Sequence, residues 1–276
     1  GRCIDVFRRH RITAVQGAPA MFAKIAEYCK AEGIAGFEHV RFIGSGGAPI
    51  DPTIKSATEA LFNRTLHNGY GLTEAASICW TRFEDENRDD SVGRPLPGVE
   101  LSIRHADGQE VARGEIGELW ARGPNLMRGY FRESELTGRV IDREGWFNTQ
   151  DLARIGADGR VFIAGRTKDV IIRSGFKVYP LEVEAALNTH PGVLHVAVVG
   201  RVAQGNEEVV AYVELVKGAA VTVERLAEHA AQLLSPYKRP AEIVILPALP
   251  LAANGKVLKK QLLQTVHADS LMKGSQ

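Results

Sequence analysis

Between residues 13 and 71, short apolar runs of strand type alternate with helical stretches, and this alternation restricts the fold more than any other feature. "TAVQG" (13–17) has the character of a buried strand, and "PAMFAKIAEYCKAEG" (19–33) that of a helix with Pro near its first turn and Gly at its end. "VRFIGSG" (40–46) is a strand running into glycines. "DPTIKSATEALFN" (51–63) has an Asp N-cap, Pro at the first helical position and helical apolar spacing, and "TLHNGYG" (65–71) is a further strand ending in glycines. Repeated strand–helix–strand units predict a parallel sheet. Ligands of such sheets sit beyond the carboxyl ends of the strands, so "GSGGAP" and "GYGLTE" mark one candidate site.

Downstream the pattern changes twice. From about residue 91 to "DGRVFIAGR" (158–166), alternating runs are split by Gly, Pro and two hairpin signals, "ADGQ" and "ADGR", with one helical piece around "RESELTGRV". After "AGRTKD" come a hairpin ("DVIIRSGFKV"), a Pro-started helix ("PLEVEAALNTH"), two strands, an amphipathic helix ("VTVERLAEHAAQLL") and a last strand ("AEIVILPAL"). The expected architecture is α/β plus α+β. Residues 1–167 form part of a large domain (1–90 α/β, 91–167 β-rich), and residues 168–276 form a small C-terminal α+β domain.

Composition narrows the function. Of 276 residues 45% are hydrophobic and 24% charged, which suits a globular protein with a real core. A net charge of +1, with both signs mixed throughout, offers no basic surface for nucleic acid. No apolar run approaches the roughly 20 residues that span a bilayer. Three scattered cysteines, without CxxC spacing, argue against a disulfide framework or zinc site and for a reducing cytosol.

The candidate chemistry lies in four stretches. In "NGYGLTEAAS" (68–77) the bare backbone of Gly71 lets a ligand approach, Tyr70 offers a flat face to a base, Thr73 a hydroxyl to phosphate, and Glu74 a hard oxygen to Mg²⁺. The alternative is a turn before a helix N-terminus, with Thr and Glu as its cap. "GSGGAPI" (44–50) lacks both GxGxxG, since Pro49 takes the third glycine's place, and the P-loop GK[ST]. Its glycines suit either a flat ring sliding along backbone or a plain tight turn. In "GWFNTQDLARIGADGRVFIAGRTKD" (145–169), Asp151 can accept both hydroxyls of a ribose and Arg166 can fork onto phosphate. A surface turn and an ordinary salt bridge are the alternatives. Lys256 follows Asn-Gly, a turn that presents it at a loop tip, as either a reaching or a merely solvated lysine.

Taken in order, "GSGGAP", "YGLTE", "GELWARGPNLMRGYF", "GWFNTQD", "GRTKDVIIRSGFKVYPLEVE" and "PLPLAANGKVLKK" resemble the adenylate-forming superfamily of acyl-CoA synthetases, peptide-synthetase adenylation domains and beetle luciferases. The resemblance runs from about residue 13 to 262, and "SGFKVYPLEVE" is more similar to acyl- or aryl-CoA ligases. It implies two half-reactions, carboxylate plus ATP to acyl-adenylate, then transfer to CoA, with Mg²⁺ offsetting the repulsion between anions. It further implies that Gly46, Gly47 and Ala48 line the adenine pocket with Tyr70 and Gly71, that Thr73 meets the α-phosphate, and that Glu74 holds Mg²⁺. Asp151 would grip the ribose and Arg166 ribose or phosphate. Lys168 matches a hinge, Lys256 reaches in for adenylation, and Ser174, Gly175 and Phe176 line the pantetheine channel after a domain rotation.

The chain departs from this pattern at two places. Gln150 stands where glycine is usual before the ribose aspartate, and no "SGTTG"-like phosphate loop occurs. Residues 1–276 are therefore expected to be the C-terminal half of a cytoplasmic ligase for a fatty or aryl acid, inactive without an upstream half. A peptide-synthetase-type domain and a non-catalytic module keeping the fold are the alternative expectations.

Overall fold

The structure is a computed structural model describing residues 1–84, 89–203, 205–252 and 257–263. It divides into two units, Gly1–Ala164 and Gly165–Gln276.

Proline and capping residues start the helices of the first unit. After α1 (Arg2–Arg9) and β1 (Ala14–Gly17), Pro19 opens α2 (Pro19–Ala31), where its missing N–H costs nothing. β2 (Phe42–Ser45) leads to α3 (Pro52–Phe62), whose N-cap Asp51 Oδ1 accepts the Thr53 and Ile54 N–H groups at 2.7 and 3.3 Å. β3 (Leu66–Leu72), β4 (Ala76–Trp80) and β5 (Arg94–Pro95) follow. The sheet order is β1-β2-β3-β4-β5, parallel through β3 and antiparallel beyond it.

The register sets Val15, Ile43 and Leu66 side by side, so they share a face. There they bury Ile4 and Phe7 of α1, Phe22 and Ile25 of α2, and Phe62 of α3. Phe37 stacks on Phe62 at 5.2 Å. The alternate residues form an aromatic layer, with Phe42 stacked on His67 at 5.4 Å and on Trp80 at 6.4 Å. Gly69 makes this layer possible, because a Cβ there would lie 2.0 Å from the Trp80 ring.

The rest of the first unit is a four-stranded sheet of β6 (Glu100–Arg104), β7 (Gly117–Arg122), β8 (Phe147–Ile155) and β9 (Val161–Arg166), with α4 (Ser134–Val140) between β7 and β8. Both Asp-Gly signals are turns, closed by His105 N–H to Gln109 O and by Gly156 N–H to Arg160 O, each 2.8 Å. Along β7, Leu119 and Ala121 enter a core with Ile103, Phe147, Ala153 and Val161. Trp120 points the other way, and Arg104 is sandwiched between it and Trp146, 4.6 and 4.9 Å from the two rings.

The second unit holds a 3-10 turn (Thr167–Asp169), a hairpin of β10 (Ile171–Arg173) and β11 (Phe176–Val178), α5 (Pro180–Asn188), β12 (Val193–Ala203), β13 (Asn206–Leu215), α6 (Val223–Leu233), a second 3-10 turn (Pro236–Lys238) and β14 (Glu242–Leu246). β12, β13 and β14 form one sheet with β13 central. One face packs Val198, Val209, Ala211 and Val213 against Val183 and Leu187 of α5 and Leu226 of α6. The other packs Val199, Val210 and Tyr212 against Leu249 and Leu262. Burial on both faces explains the unbroken apolar run in "EEVVAYVELV". Among the described residues no helix is long and apolar enough to cross a membrane.

Candidate functional site

Two neighbouring strand ends build the first part of the site. Ser45, the last residue of β2, lies beside Asn68 of β3. The chain leaves β2 through Gly46, Gly47 and Ala48, while β3 continues through Tyr70 and Gly71. Gly46 lies against Gly69, whose carbonyl would be 3.3 Å from a Cβ at 46. Gly47 has φ +81°, in the left-handed region that glycine enters freely.

Beyond Leu72 the chain does not start a helix. Thr73, Glu74 and Ala75 form a turn into β4, with Ala75 N–H bonded to Leu72 O at 3.1 Å and Leu72 paired with Ala76. The helix-cap alternative for Thr73 and Glu74 is therefore not what forms. Distant partners hold the hairpin: Asn125 Nδ2 donates to Ala75 O and Ser77 O at 2.7 and 3.0 Å, and Met127 N–H to Glu74 O at 2.7 Å. Gly71 permits the close crossing, since a Cβ there would lie 2.1 Å from Ala76 O.

A bulge delivers the aspartate. Asn148 pairs with Trp120 and Leu152 with Glu118, so Thr149, Gln150 and Asp151 oppose Leu119 alone. Such an insertion re-aims side chains. Thr149 Oγ1 replaces the lost ladder bonds, donating to Leu119 O at 2.8 Å and accepting the Asp151 N–H at 3.1 Å. Asp151, only 5% exposed, then accepts the Tyr70 hydroxyl on Oδ2 at 2.6 Å. Burial, and after it the Asp151 charge, raises the Tyr70 phenol well above its ordinary pKa, so it stays a donor at neutral pH. Cys79 beside it is pushed up to about 12 by burial, which leaves it an inert thiol.

The unusual Gln150 has a structural meaning. Its φ is +59°, a conformation that favours glycine, and its N–H is held by Asn148 Oδ1 at 2.8 Å. The bulge keeps its shape with a residue that disfavours it by about 1–2 kcal/mol. The Gln150 side chain is exposed beside the buried Asp151.

Glu74 has a partner that the sequence reading missed. Tyr130 O–H donates to Glu74 Oε1 at 3.0 Å, and its phenol is raised by burial and then by Glu74. Tyr130 lay inside the quoted "GELWARGPNLMRGYF", but nothing local tied it to Glu74, 56 positions away. Among the described residues no three His, Cys, Asp or Glu side chains cluster for a metal. A lone carboxylate still fits Mg²⁺, which keeps several waters and takes substrate phosphate oxygens.

The remaining candidates belong to the second unit. Arg166 ends β9, half-buried, and Lys168 is exposed on the 3-10 turn. Ser174 and Gly175 form the two-residue turn between β10 and β11, with φ of +50° and +82°. Phe176, 56% exposed, stacks on Tyr237 at 4.9 Å. Lys256 lies outside the described residues. Of its flanks, Leu251 bridges Val257, and Lys259 pairs at 2.7 Å with the buried Glu184.

The sequence and fold match known proteins. A family model described as AMP-binding enzyme matches residues 1–131, and a second, AMP-binding enzyme C-terminal domain, matches residues 182–256. A long-chain-fatty-acid–CoA ligase of Yersinia pestis is 33% identical over 258 residues, 92% of this chain and 45% of that protein. A 4-coumarate–CoA ligase 1 of Oryza sativa subsp. japonica is 32% identical over 268 residues, 94% and 47%. The crystal structure of ATP-bound MatB from Rhodopseudomonas palustris superposes with a TM-score of 0.89 at 30% identity, covering 96% of this chain and 52% of that one. The chain spans about half the length of the curated relatives it matches. With both family models fitted in order on a fold of this closeness, the chain belongs to the adenylate-forming family of AMP-binding enzymes.

Proposed function

We propose that these residues supply the nucleotide and thioester machinery of an AMP-forming acyl-CoA ligase acting on a fatty or aryl acid. The observation that carries this reading is the Tyr70–Asp151 pair, a buried carboxylate in the β8 bulge held by the tyrosine at the glycine-bearing end of β3. Asp151 Oδ1 and Oδ2 accept the ribose hydroxyls. Gly46, Gly47 and Ala48 leave the backbone bare for adenine beside Tyr70 and Gly71, and Thr73 donates its hydroxyl to an α-phosphate oxygen. Arg166 adds positive charge to ribose or phosphate. Glu74, held by Tyr130, is the carboxylate ligand for Mg²⁺, which supplies charge neutralisation when bound.

In the first half-reaction a carboxylate oxygen of the acid forms a bond to the α-phosphorus and pyrophosphate leaves; Lys256 bridges the anionic oxygens. In the second, the CoA sulfur bonds to the acyl carbon and AMP leaves. Lys168 is the hinge between the two arrangements, and residues 168–276 form the moving domain whose Ser174, Gly175 and Phe176 line the thiol's approach. ATP-bound MatB and the two CoA ligases support this assignment by resemblance. No phosphate loop occurs in these 276 residues, so the chain alone adenylates acids very slowly.

Calorimetric titration with a non-hydrolysable acyl-sulfamoyl adenosine tests the reading. The wild-type chain binds it, and Asp151→Ala weakens binding at least tenfold, a change of about 1.4 kcal/mol. Absence of binding by the wild type, or equal binding by both, overturns it.

A further inference from the structure

We infer that Asn206 is a positioning residue for thioester formation: its carboxamide holds the Ser174–Gly175 turn in the shape presented to the CoA thiol. This inference rests on the reading of that turn given above.

The turn has little support of its own. The β10–β11 ladder contains only three residue pairs, Ile171 with Val178, Ile172 with Lys177 and Arg173 with Phe176. Isolated two-stranded hairpins are marginal in water. Both turn residues have positive φ, and the first of them is Ser174 rather than the Asn, Asp or Gly that such turns favour. An external partner must therefore fix the tip.

That partner is the start of β13. Asn206 Oδ1 accepts the Ser174 N–H at 2.7 Å, and Asn206 Nδ2 donates to Ser174 Oγ at 3.1 Å, so both ends of one carboxamide are used on one residue. Two positions back along β10, the Ile172 N–H is accepted by Glu207 Oε2 at 2.5 Å. Residues 172 and 174 are the alternate positions whose N–H groups point the same way along the strand. Two neighbouring side chains thus take the place of a further strand. Asn206 itself is paired opposite Ala203 at the corner of the β12–β13 ladder, whose centre is fully buried. The pair that flanks the turn has partners of its own: Arg173 Nη1 donates to Arg239 O at 2.6 Å, and Phe176 rests on Tyr237. Asn206 is the side chain that bonds the turn residue Ser174 itself. Small displacement of a group that lines the path of a nucleophile costs rate steeply.

The test uses the 276-residue chain with supplied acyl-adenylate and CoA, which bypasses the need for a phosphate loop. Asn206→Ala removes both bonds. Asn206→Asp keeps an acceptor for the Ser174 N–H and a second oxygen for the Ser174 hydroxyl. We expect amide exchange at Ser174 to rise about tenfold in Asn206→Ala, and the KM for CoA to rise by a similar factor. Affinity for the acyl-adenylate stays unchanged, and Asn206→Asp restores both quantities to within about twofold. Unchanged exchange, faster exchange with unchanged CoA kinetics, or equal damage in both variants overturns the inference. A wild-type chain that binds acyl-adenylate yet forms no acyl-CoA overturns the reading of the turn and the inference with it, while the nucleotide site stands.

Discussion

Tyr70 donates its phenolic proton to Asp151 Oδ2 at 2.6 Å, joining residues 81 positions apart. The bond ties a strand end of the first sheet to a bulge of the second. Tyr70→Phe removes this bond from the buried Asp151, and such a loss costs about 1–3 kcal/mol. Urea denaturation of the two chains should show a lower midpoint for Tyr70→Phe. An unchanged midpoint would mean that this bond adds nothing to stability.

Gln150 occupies a glycine-type conformation, φ +59°. Gln150→Ala keeps the backbone strain, whereas Gln150→Gly removes it. The glycine variant is therefore expected to be more stable than the alanine variant by about 1 kcal/mol, even though glycine loses more chain entropy on folding. Thermal unfolding of the pair measures the difference, and an alanine variant at least as stable as the glycine one would refute the strain.

Gly69 carries the Trp80 ring. Gly69→Ala must push that ring away, which destabilises by about 1–3 kcal/mol and changes the tryptophan emission. In Trp80→Ala the same glycine change should cost much less, because the clashing ring is gone. A double-mutant cycle showing simple additivity would contradict this contact.

His190 makes the second unit sensitive to acid. Its Nδ1 accepts the Gly192 N–H at 3.1 Å, and the His229 ring lies 5.2 Å away. Burial, then His229 and Arg225, lower its pKa below the ordinary 6.5. The unfolded chain therefore takes up a proton at higher pH than the folded one. The contribution to stability is complete above about pH 6.5 and is lost as the pH falls through the folded value. Denaturation midpoints should drop between pH 7.5 and 5.5, with a shallower drop for His190→Asn. Identical slopes for the two proteins would exclude His190 as the cause.

Glu184, buried in α5, accepts the Val198 N–H at 2.7 Å and pairs with Lys259 at 2.7 Å. Glu184→Ala strands both, at about 2–4 kcal/mol, while Glu184→Gln keeps an acceptor for Val198 and should lose roughly half as much. Chemical denaturation ranks the three proteins, and equal losses in both variants would show that the backbone bond contributes nothing.

Much of this molecule is written locally. Pro19, Pro52 and Pro180 open helices where a missing N–H is harmless, Asp51 caps α3, and the two Asp-Gly turns close hairpins. Each of these signals acts within a few residues, so the sequence alone determined the helix starts, the parallel start of the first sheet and the residue types gathered at its strand ends. Tertiary structure decided what those residues do together. Whether "LTEAAS" begins a helix or turns a hairpin was settled by Asn125 and Met127, some 50 positions on. The aim of Asp151 depends on Thr149 bonding Leu119 O, and the grip on Glu74 on Tyr130. Such bonds exist only once distant strands have met, because the energy that selects them comes from burying polar groups with their partners and not from any local preference of the chain.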